Sequence, residues 1–421
     1  MTSPQSVRWR GPHPHTRSPL PASYLVWLGA STISQLGDVV LGFAVGWVAA
    51  EHGGSAAGLV LAAGSLPSVL LLLLGGTIAD RFGARRVMIA GDAVMLLLSV
   101  ALALSVLRVG TPLWLLLVAS ALRGTVSAFY RPSAGSMPRR LVADGQLTRA
   151  LALRQGTGQA VLLLGAPLAG ILVAAGGLGS VALVDAGTFL VVLVVLVLVR
   201  PRYATPSPRR GEPVWRAALD GVRVVRRTPG LLPALALVGG AAAFLLPTMS
   251  LVVPLLAREA GWGSSWTGVV TGAQGAGIVA VTLVVVHRGG ARRPGVAVSG
   301  GLAVAALGQA GLVIAASIPA EGWVSVAAAS AVGLGSGLFT AHLAPVVLGR
   351  APRTHLARVQ ALVGLVQAVA VTITVPALGA LASVTSVAVA GSVCALGLLG
   401  CAVCGATALR RLTLEQVEGA Q

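Results

Sequence analysis

Four ionisable residues lie inside long apolar runs, where charge is costly. They are Asp38, Asp92, Arg123 and Asp185. An ionisable side chain at bilayer depth costs about 2.5 to 3.5 kcal/mol on insertion scales, so each one is a candidate for function. A buried carboxyl can take up and release a proton, whereas a guanidinium keeps its charge and requires an acid, water or carbonyl partner. The competing reading for each acid is a permanently paired structural carboxylate.

Asp38 belongs to a polar stripe in the first apolar run. Ser31, Ser34 and Gln35 precede it by seven, four and three residues, a spacing that puts all four on one face of a helix. Such a face is turned to a cavity or to a partner helix, and not to lipid. We therefore predict that Gln35 and Asp38 line a substrate cavity and that Asp38 carries a proton.

The elements that position these residues are membrane-spanning helices. The chain has 421 residues, of which 56% are hydrophobic and 10% charged, and its mean hydropathy is +0.88. Apolar runs of about 20 residues match the ~30 Å hydrocarbon thickness of a bilayer. Six runs lie at 24–48, 57–77, 87–107, 112–130, 155–175 and 180–199, and six more at 231–256, 266–286, 295–318, 323–348, 360–382 and 384–409.

These runs predict an all-α integral membrane protein with twelve transmembrane helices in two six-helix halves. The count is off by one only if the run 323–348 is re-entrant. We divide the chain into five segments: a disordered cytoplasmic arm (1–22), the first half (23–199), a cytoplasmic linker with an amphipathic helix (200–230), the second half (231–409) and a cytoplasmic tail (410–421).

The placement of the basic residues predicts the orientation. The net charge is +18, and all 30 cationic side chains are arginines. If the runs alternate across a bilayer, every arginine except Arg108, Arg258 and Arg123 falls on one side. Arginine-rich loops mark the cytoplasmic side. We therefore expect both termini in the cytoplasm, a multi-pass protein of the cell (inner) membrane, and no nucleic-acid partner.

Arg123 has two candidate partners in its half. It lies about seven residues from the inner end of the fourth run, hence roughly 11 Å deep at ~1.5 Å per residue. Asp38 and Asp92 are the acids available to it, and Asp92 is nearer in depth. Asp185 lies about one turn inside the outer end of the sixth run, and we expect it to have a structural role at a helix end.

The other polar residues in the apolar runs do not form a pattern typical of an enzyme active site. Three cysteines, Cys394, Cys401 and Cys404, all lie in the last run, which excludes a disulfide framework. We predict no metal site and no cofactor, and we find no nucleophile paired with a base and no phosphate-binding glycine loop. Glutamines at depth either line a pocket or join helices. We add His342 to the predicted cavity because a histidine titrates near neutral pH.

A short, charged turn separates the second and third runs. Gly83 supplies the positive φ that a tight reversal requires, and Gly76 permits close helix approach. The only acid in the turn is Asp80, and its cations are Arg81, Arg85 and Arg86. The alternative interpretation of this turn is an ordinary basic cytoplasmic loop without a specific function. The pattern Gly-x-x-x-Asp-Arg-x-Gly-x-Arg-Arg resembles the signature of the major facilitator superfamily.

Further segments resemble the enterobactin-exporter and macrolide-efflux branch of that superfamily. They are Ser34-Gln35-Leu36-Gly37-Asp38, Phe129-Tyr130-Arg131-Pro132, Val184 through Phe189 and Trp215 through Arg227. The region Gly165-Ala166-Pro167-Leu168-Ala169-Gly170 matches only partly the glycine-proline segment of drug-proton antiporters. The resemblance implies two halves that rock around a site in the middle of the membrane.

The resemblance also implies roles for individual residues. In the superfamily the first and fourth helices line the cavity and the third is peripheral. We therefore prefer Asp38 as the partner of Arg123 and assign Asp92 to the arginines of the charged turn. The eleventh helix begins near Thr354, a plausible N-cap, so its positive end attracts Asp80. That contact would close the inner gate in the outward-open state.

Together these features predict a secondary transporter. We expect export of a small organic molecule, such as a drug, an antibiotic-like metabolite or a siderophore, by alternating access and proton-coupled antiport. Its partners are then the substrate, protons and membrane lipids, and we expect a monomer. The alternatives are uptake or facilitated diffusion of a nutrient, and a membrane receptor without transport.

Overall fold

The computed structural model describes residues 19–200, 203, 223, 228, 230–291, 293–318, 322–350 and 356–418. Within these ranges the side chains of 72–77, 79–80, 144, 344–350, 356–358, 360–361 and 408–418 are not described. The predicted arm, except for residues 19–22, and the predicted linker with its amphipathic helix, except for residues 200, 203, 223, 228 and 230, lie outside the described residues. So does Thr354.

The described part of the chain is built from α-helices and contains no strand. Their bounds are α1 Ala22–Ala49, α2 Gly54–Phe82, α3 Ala84–Val109, α4 Leu113–Leu141, α5 Leu147–Leu198, α6 Leu231–Pro247, α7 Val253–Glu259, α8 Ser264–Arg288, α9 Pro294–Ser317, α10 Trp323–Arg350, α11 Leu356–Val384 and α12 Val387–Glu418. A π-helical turn, Thr248–Val252, joins α6 to α7, so the pair forms one continuous segment. Helix α12 continues into the predicted tail.

Eleven segments of the described chain are long and apolar enough to cross a membrane, with α6 and α7 counted as one. This confirms an all-α membrane protein. The longest of them, α5, has 52 residues, which at ~1.5 Å per residue would exceed twice the ~30 Å bilayer core if it were straight.

Helix α5 is not straight, because Gly177 has φ 65° and ψ −169°. The contacts of α1 show what this break does. Gly165 packs against Val39, and Gly37 packs against Thr188, so positions on both sides of Gly177 meet the same level of α1. The two arms of α5, residues 147–176 and 178–198, therefore run antiparallel. Each arm has spanning length, and the count of twelve crossings stays a prediction.

The helices form two halves with matching neighbours. In the first half α1 packs on α5, α4 packs on α2 and α3, and α3 packs on α5. In the second half α10 packs on α8 and α9, while α12 packs on α9 and α6. The halves meet where α2 packs on α11 and α5 packs on α8.

Glycines allow these two contacts between the halves. A Cβ added at Gly58 would lie 3.0 Å from the carbonyl oxygen of Val375, and one added at Gly268 would lie 2.7 Å from that of Ala166. Gly58 and Gly268 lie one to two turns from the starts of α2 and α8. We call this end of the bundle, with the connections 50–53, 110–112 and 260–263, the Glu51 end. The opposite end, which carries the turn at Gly83, is the Arg85 end.

Candidate functional site

Arg123 of α4 joins two carboxylates from different helices. Its Nη2 lies 2.6 Å from Oδ1 of Asp38 on α1, and its Nη1 lies 2.9 Å from Oδ2 of Asp185 on α5. The same Nη1 donates to the Ser99 hydroxyl of α3 at 3.0 Å. One guanidinium thus ties four helices of the first half together. We call Asp38, Ser99, Arg123 and Asp185 the Arg123 cluster.

The Asp185 side of the cluster is sealed. Ser99 donates to Oδ2 of Asp185 at 2.6 Å, so this oxygen accepts two hydrogen bonds, and the side chain is only 1% exposed. The absence of a side chain at Gly37 makes room for it, since a Cβ there would lie 2.8 Å from Asp185 Oδ1. The Phe189 ring covers the guanidinium, with Arg123 Cζ 5.9 Å from the ring centroid. Asp185 is a fixed counter-charge.

The Asp38 side of the cluster is open. Its side chain is 44% exposed, although Ser31, Ser34 and Leu41 on the same side of α1 are buried. When one side chain is exposed and its neighbours on the same face of the helix are buried, the exposed one borders a gap between helices. We infer from this exposure that the Asp38 carboxylate borders a crevice between the helices, while Arg123, at 14% exposed, lies mostly behind it.

The contact between Asp38 and Arg123 agrees with the pairing preferred from the sequence, whereas the helix-end position expected for Asp185 was wrong. Asp185 is a second partner of Arg123, and the structural role expected for it stays compatible with this contact. The helix around it starts directly after Gly177, eight residues earlier, which places Asp185 about 12 Å along the second arm. The signal available in the sequence was a lone acid inside a long apolar run.

Asp92 does not pair with the arginines of the charged turn. It is fully buried on α3, and Tyr130 of α4 donates to its Oδ2 over a long 3.4 Å. Its Oδ1 has no hydrogen-bond partner. Arg85 instead turns toward the end of α5, where its Nε donates to the carbonyl oxygens of Leu196 and Val199.

The rest of the charged turn is described in part. Gly83 has φ 87°, the positive value expected for the reversal between α2 and α3. Arg81 and Arg86 are exposed, and Arg81 stacks on Phe82 with Cζ 5.6 Å from the ring centroid. The surroundings of Gly76 and the side chain of Asp80 are not described, so the gating role of Asp80 stays a prediction.

The hydrogen bonds of His342 and Gln35 are made to groups outside the Arg123 cluster. His342 Nδ1 donates to the Leu338 carbonyl oxygen at 2.9 Å, and its Nε2 accepts from the Ala291 amide at 2.9 Å. Both ring nitrogens are used to hold the connection between α8 and α9, which does not support the predicted place of His342 in the cavity. Gln35 Nε2 donates to Ser31 on its own helix at 3.3 Å.

A second ion pair joins the halves at the Glu51 end. Arg258 of α7 lies 2.6 Å from Glu51, donates to the Trp47 carbonyl oxygen at 3.1 Å, and places Cζ 3.9 Å from the Trp47 ring centroid. Close by, the Ser55 amide donates to the Ser383 hydroxyl at 2.7 Å. These contacts hold the two halves together at the Glu51 end.

The described residues contain no group of three or more His, Cys, Asp and Glu side chains able to hold a metal ion. The arrangement of the Arg123 cluster is instead suited to proton exchange, since one cation serves two carboxylates that differ in access.

Comparison with solved structures supports the fold. An auto-inhibited peptide transporter of the POT family matches with a TM-score of 0.72 and 15% identity, covering 93% of this chain and 97% of the other. A mutant of the nucleoside transporter NupG matches with a TM-score of 0.71 and 11% identity, covering 91% and 99%. At these identities the likeness concerns the fold alone.

The relatives found by sequence align with only part of this chain. Macrolide efflux protein A of Streptococcus pyogenes is 23% identical over 239 residues, which cover 56% of this chain and 58% of the relative. The protein of that name from Enterococcus faecalis is 22% identical over 197 residues, covering 47% and 61%. The uncharacterised transporter YfiS of Bacillus subtilis is 26% identical over 217 residues, covering 49% and 50%. The chain thus matches less than two thirds of the length of these relatives.

The family profile of the Major Facilitator Superfamily matches residues 27–374, which is most of the chain and includes parts of both halves. With the two-half helical fold and the transporters that share it, this match shows that the chain is a multi-pass membrane protein belonging to the Major Facilitator Superfamily.

Proposed function

We propose that this chain exports a small organic molecule by proton-coupled antiport, with Asp38 as the proton-binding group. The observation that carries the proposal is the unequal sharing of Arg123 by Asp38 and Asp185. With this arrangement Asp38 can bind a proton in one step and release it in another, while Asp185 keeps the Arg123 charge paired throughout.

The charges of the Arg123 cluster make Asp38 the labile member. With both acids ionised, the cluster of one cation and two anions carries one net negative charge. Protonation of either acid makes it neutral, which is favourable at low dielectric. Asp185 is buried and accepts two hydrogen bonds in its charged form, whereas Asp38 has one charged donor and borders a crevice. The proton is therefore taken up at Asp38.

Coupling follows from what protonation does to the Asp38 contact. A neutral Asp38 loses its charge-assisted hydrogen bond to Arg123 Nη2, and Arg123 remains neutralised by Asp185. Helix α1 is then held less firmly to α4. A substrate in the crevice competes with the proton if it binds the ionised Asp38 carboxylate, which makes binding of the two alternate.

The substrate class rests on the crevice and on the relatives. In the part of the chain that the structure describes, the second half brings no acid to mid-membrane depth, which argues against a highly charged substrate. Two relatives carry the name macrolide efflux protein A. We therefore propose export of an uncharged or weakly basic organic compound, with macrolides as the first class to test.

The proposal includes the predicted orientation, in which the Arg85 end faces the cytoplasm. With the halves joined at the Glu51 end, the structure would then represent a state closed to the outside. Both termini would lie in the cytoplasm, and the working unit would be a monomer.

The test uses everted membrane vesicles from cells that produce the full chain. Uptake of a macrolide and of a panel of dyes into these vesicles is measured with and without a proton gradient. We expect gradient-dependent uptake for the wild type and its loss for Asp38→Asn, with protein levels matched. The control is Glu51→Gln, which removes a carboxylate at the Glu51 end and should leave the gradient dependence in place. Gradient-driven uptake by Asp38→Asn would contradict the proposal.

A further inference from the structure

We propose that Asp92 and Tyr130 form a second proton-binding station, through which the proton on Asp38 leaves toward the Arg85 end. This inference rests on the proposed proton coupling at Asp38. It assigns a role to a buried acid that the exchange at the Arg123 cluster does not itself use.

The two helices α3 and α4 place this station in register with the Arg123 cluster. Asp92 precedes Ser99 by seven residues on α3, and Tyr130 follows Arg123 by seven residues on α4. Since these helices run in opposite directions, both displacements point to the Arg85 end. Seven residues are two helical turns, or about 10.5 Å. The pair of Asp92 and Tyr130 thus forms a second rung, about two turns from the pair of Ser99 and Arg123.

The surroundings of Asp92 favour a neutral carboxylic acid. The side chain is fully buried, Oδ1 has no partner, and the hydroxyl of Tyr130 lies 3.4 Å from Oδ2. In the described residues no cation pairs with it. An ionised carboxylate without a cation is costly in such a place, so a group of this kind holds its proton. Asp185 is equally buried and its Oδ1 also has no partner, but its Oδ2 is paired with Arg123, which is the difference between the two acids.

Close packing at Gly91 sets the distance between the two groups. A Cβ at Gly91 would lie 3.0 Å from Cδ2 of Tyr130, so the missing side chain lets the tyrosine ring rest against α3. Charged groups from two neighbouring helices, α1 and α5, lie near the station. Asp38 of α1 acts electrostatically on both members, and Arg154 of α5 acts on Tyr130.

The proposed transfer conserves protons and charge. The neutral Asp38 gives its proton to water in the crevice, and that proton passes to the Tyr130 oxygen as the Tyr130 hydroxyl proton moves to an ionised Asp92. Asp38 is left ionised beside Arg123, and Asp92 is left neutral. Because the negative charge moves from an acid with no cation to one that has a cation, the direction is favourable.

Beyond the station, toward the Arg85 end, lies a cluster of buried apolar side chains, against which Arg154 packs with its Cζ 5.9 Å from the Trp27 ring centroid. Met88 of α3 and Met137 of α4 are fully buried below Asp92 and Tyr130, and they belong to a cluster with Tyr24 and Trp27. The proton is therefore held at Asp92 until these helices move. Asp92 is the acid nearest to this apolar cluster on α3.

Infrared difference spectroscopy of the purified full chain in lipid tests the protonation directly and needs no substrate. We expect the wild type at neutral pH to show the carbonyl stretch of a protonated carboxylic acid, and Asp92→Asn to lose it. Tyr130→Phe should shift the band because it removes the hydrogen bond. Tyr24→Phe is the matched control, since Tyr24 is a buried tyrosine of the same half that donates to the Ala150 carbonyl oxygen. A band unchanged in Asp92→Asn would overturn the inference.

Transport measurements test the relay. Positioned proton-transfer groups contribute about 100-fold or more to rates, so Asp92→Asn should lose most gradient-driven macrolide transport while it keeps exchange of labelled for unlabelled substrate. Tyr130→Phe should lose less, and Tyr24→Phe should behave as the wild type. If Asp38→Asn abolishes coupling but Asp92→Asn transports normally, the relay is wrong and the proposed function stands. If Asp38→Asn remains coupled, the proposed function itself has failed.

Discussion

The two halves share an architecture but differ in their buried charges. The first half contains the Arg123 cluster and Asp92, whereas the chain has no aspartate after Asp220. In the described part of the second half, the buried polar groups are hydroxyls, Gln309 and His342. Gln309 reaches the Gly391 carbonyl oxygen of α12 at 3.4 Å. Under the proposed function, this contrast assigns the proton chemistry to the first half and makes the second half a counterpart without a buried acid in its described residues.

The packing of the second half agrees with this division. Helix α10 contacts α8 and α9 through glycines on both sides. A Cβ at Gly301 of α9 would lie 2.7 Å from the Gly335 carbonyl oxygen, and one at Gly277 of α8 would lie 2.7 Å from the Ser330 carbonyl oxygen. Backbones that approach this closely form stable interfaces in membranes without polar side chains.

The largest effect is expected from removal of Arg123. Arg123→Met leaves Asp185 as a buried acid without its cation, and loss of one partner of a buried ion pair costs about 3 to 5 kcal/mol. We expect a large fall in thermal stability, measured in detergent or lipid. The double variant Arg123→Met with Asp185→Asn removes both charges and should recover much of the loss. No recovery would contradict the assignment of Asp185 as the fixed counter-charge.

A smaller loss of stability is expected from Gly301→Ala in the second half. The new methyl group meets the backbone of α10, and overpacking of this kind costs about 1 to 3 kcal/mol. The adjacent Gly300 is the matched control, because a Cβ there has no neighbour within 4 Å. Gly300→Ala should therefore leave the melting temperature unchanged. Equal shifts for both variants would show that the α9–α10 contact does not carry the packing of this half.

The two ends of the bundle give the next comparison. Arg258→Ala removes the ion pair with Glu51 and the contact with the Trp47 ring. We expect the Glu51 end to open more often, measured as labelling of an introduced cysteine in the crevice from that side. For the proposed gate at Asp80, Asp80→Asn should act in the opposite direction, toward opening at the Arg85 end. The effects should be a few-fold in population, since partly exposed pairs contribute about 1 kcal/mol or less.

Labelling that changes in the same direction for both variants would contradict this description of the ends. Unchanged labelling for Asp80→Asn alone would refute the gate role of Asp80 and leave the contacts of Arg258 untouched.

Sequence patterns predicted the helical class and part of the site, and the failures have physical causes. Gly83 and the pairing of Asp38 with Arg123 followed from turn chemistry and from the family resemblance. The contact of Asp185 with Arg123 was not predicted because it depends on how the second arm of α5 is rotated toward α4, which a hydropathy run does not give. The place of His342 in the cavity stays a prediction, and its backbone partners could not be predicted because they depend on the rotation of α10. Asp92 was assigned to the arginines because the third helix is peripheral in the superfamily, whereas its contact comes from Tyr130 on the facing helix α4.

The most direct test of the account is to compare exchange with gradient-driven transport for Asp38→Asn in proteoliposomes. An amide in place of Asp38 is permanently neutral, so the account predicts that exchange of labelled for unlabelled macrolide continues while a proton gradient no longer drives accumulation. Accumulation that still follows the gradient in Asp38→Asn would contradict the central claim that this carboxylate carries the coupled proton.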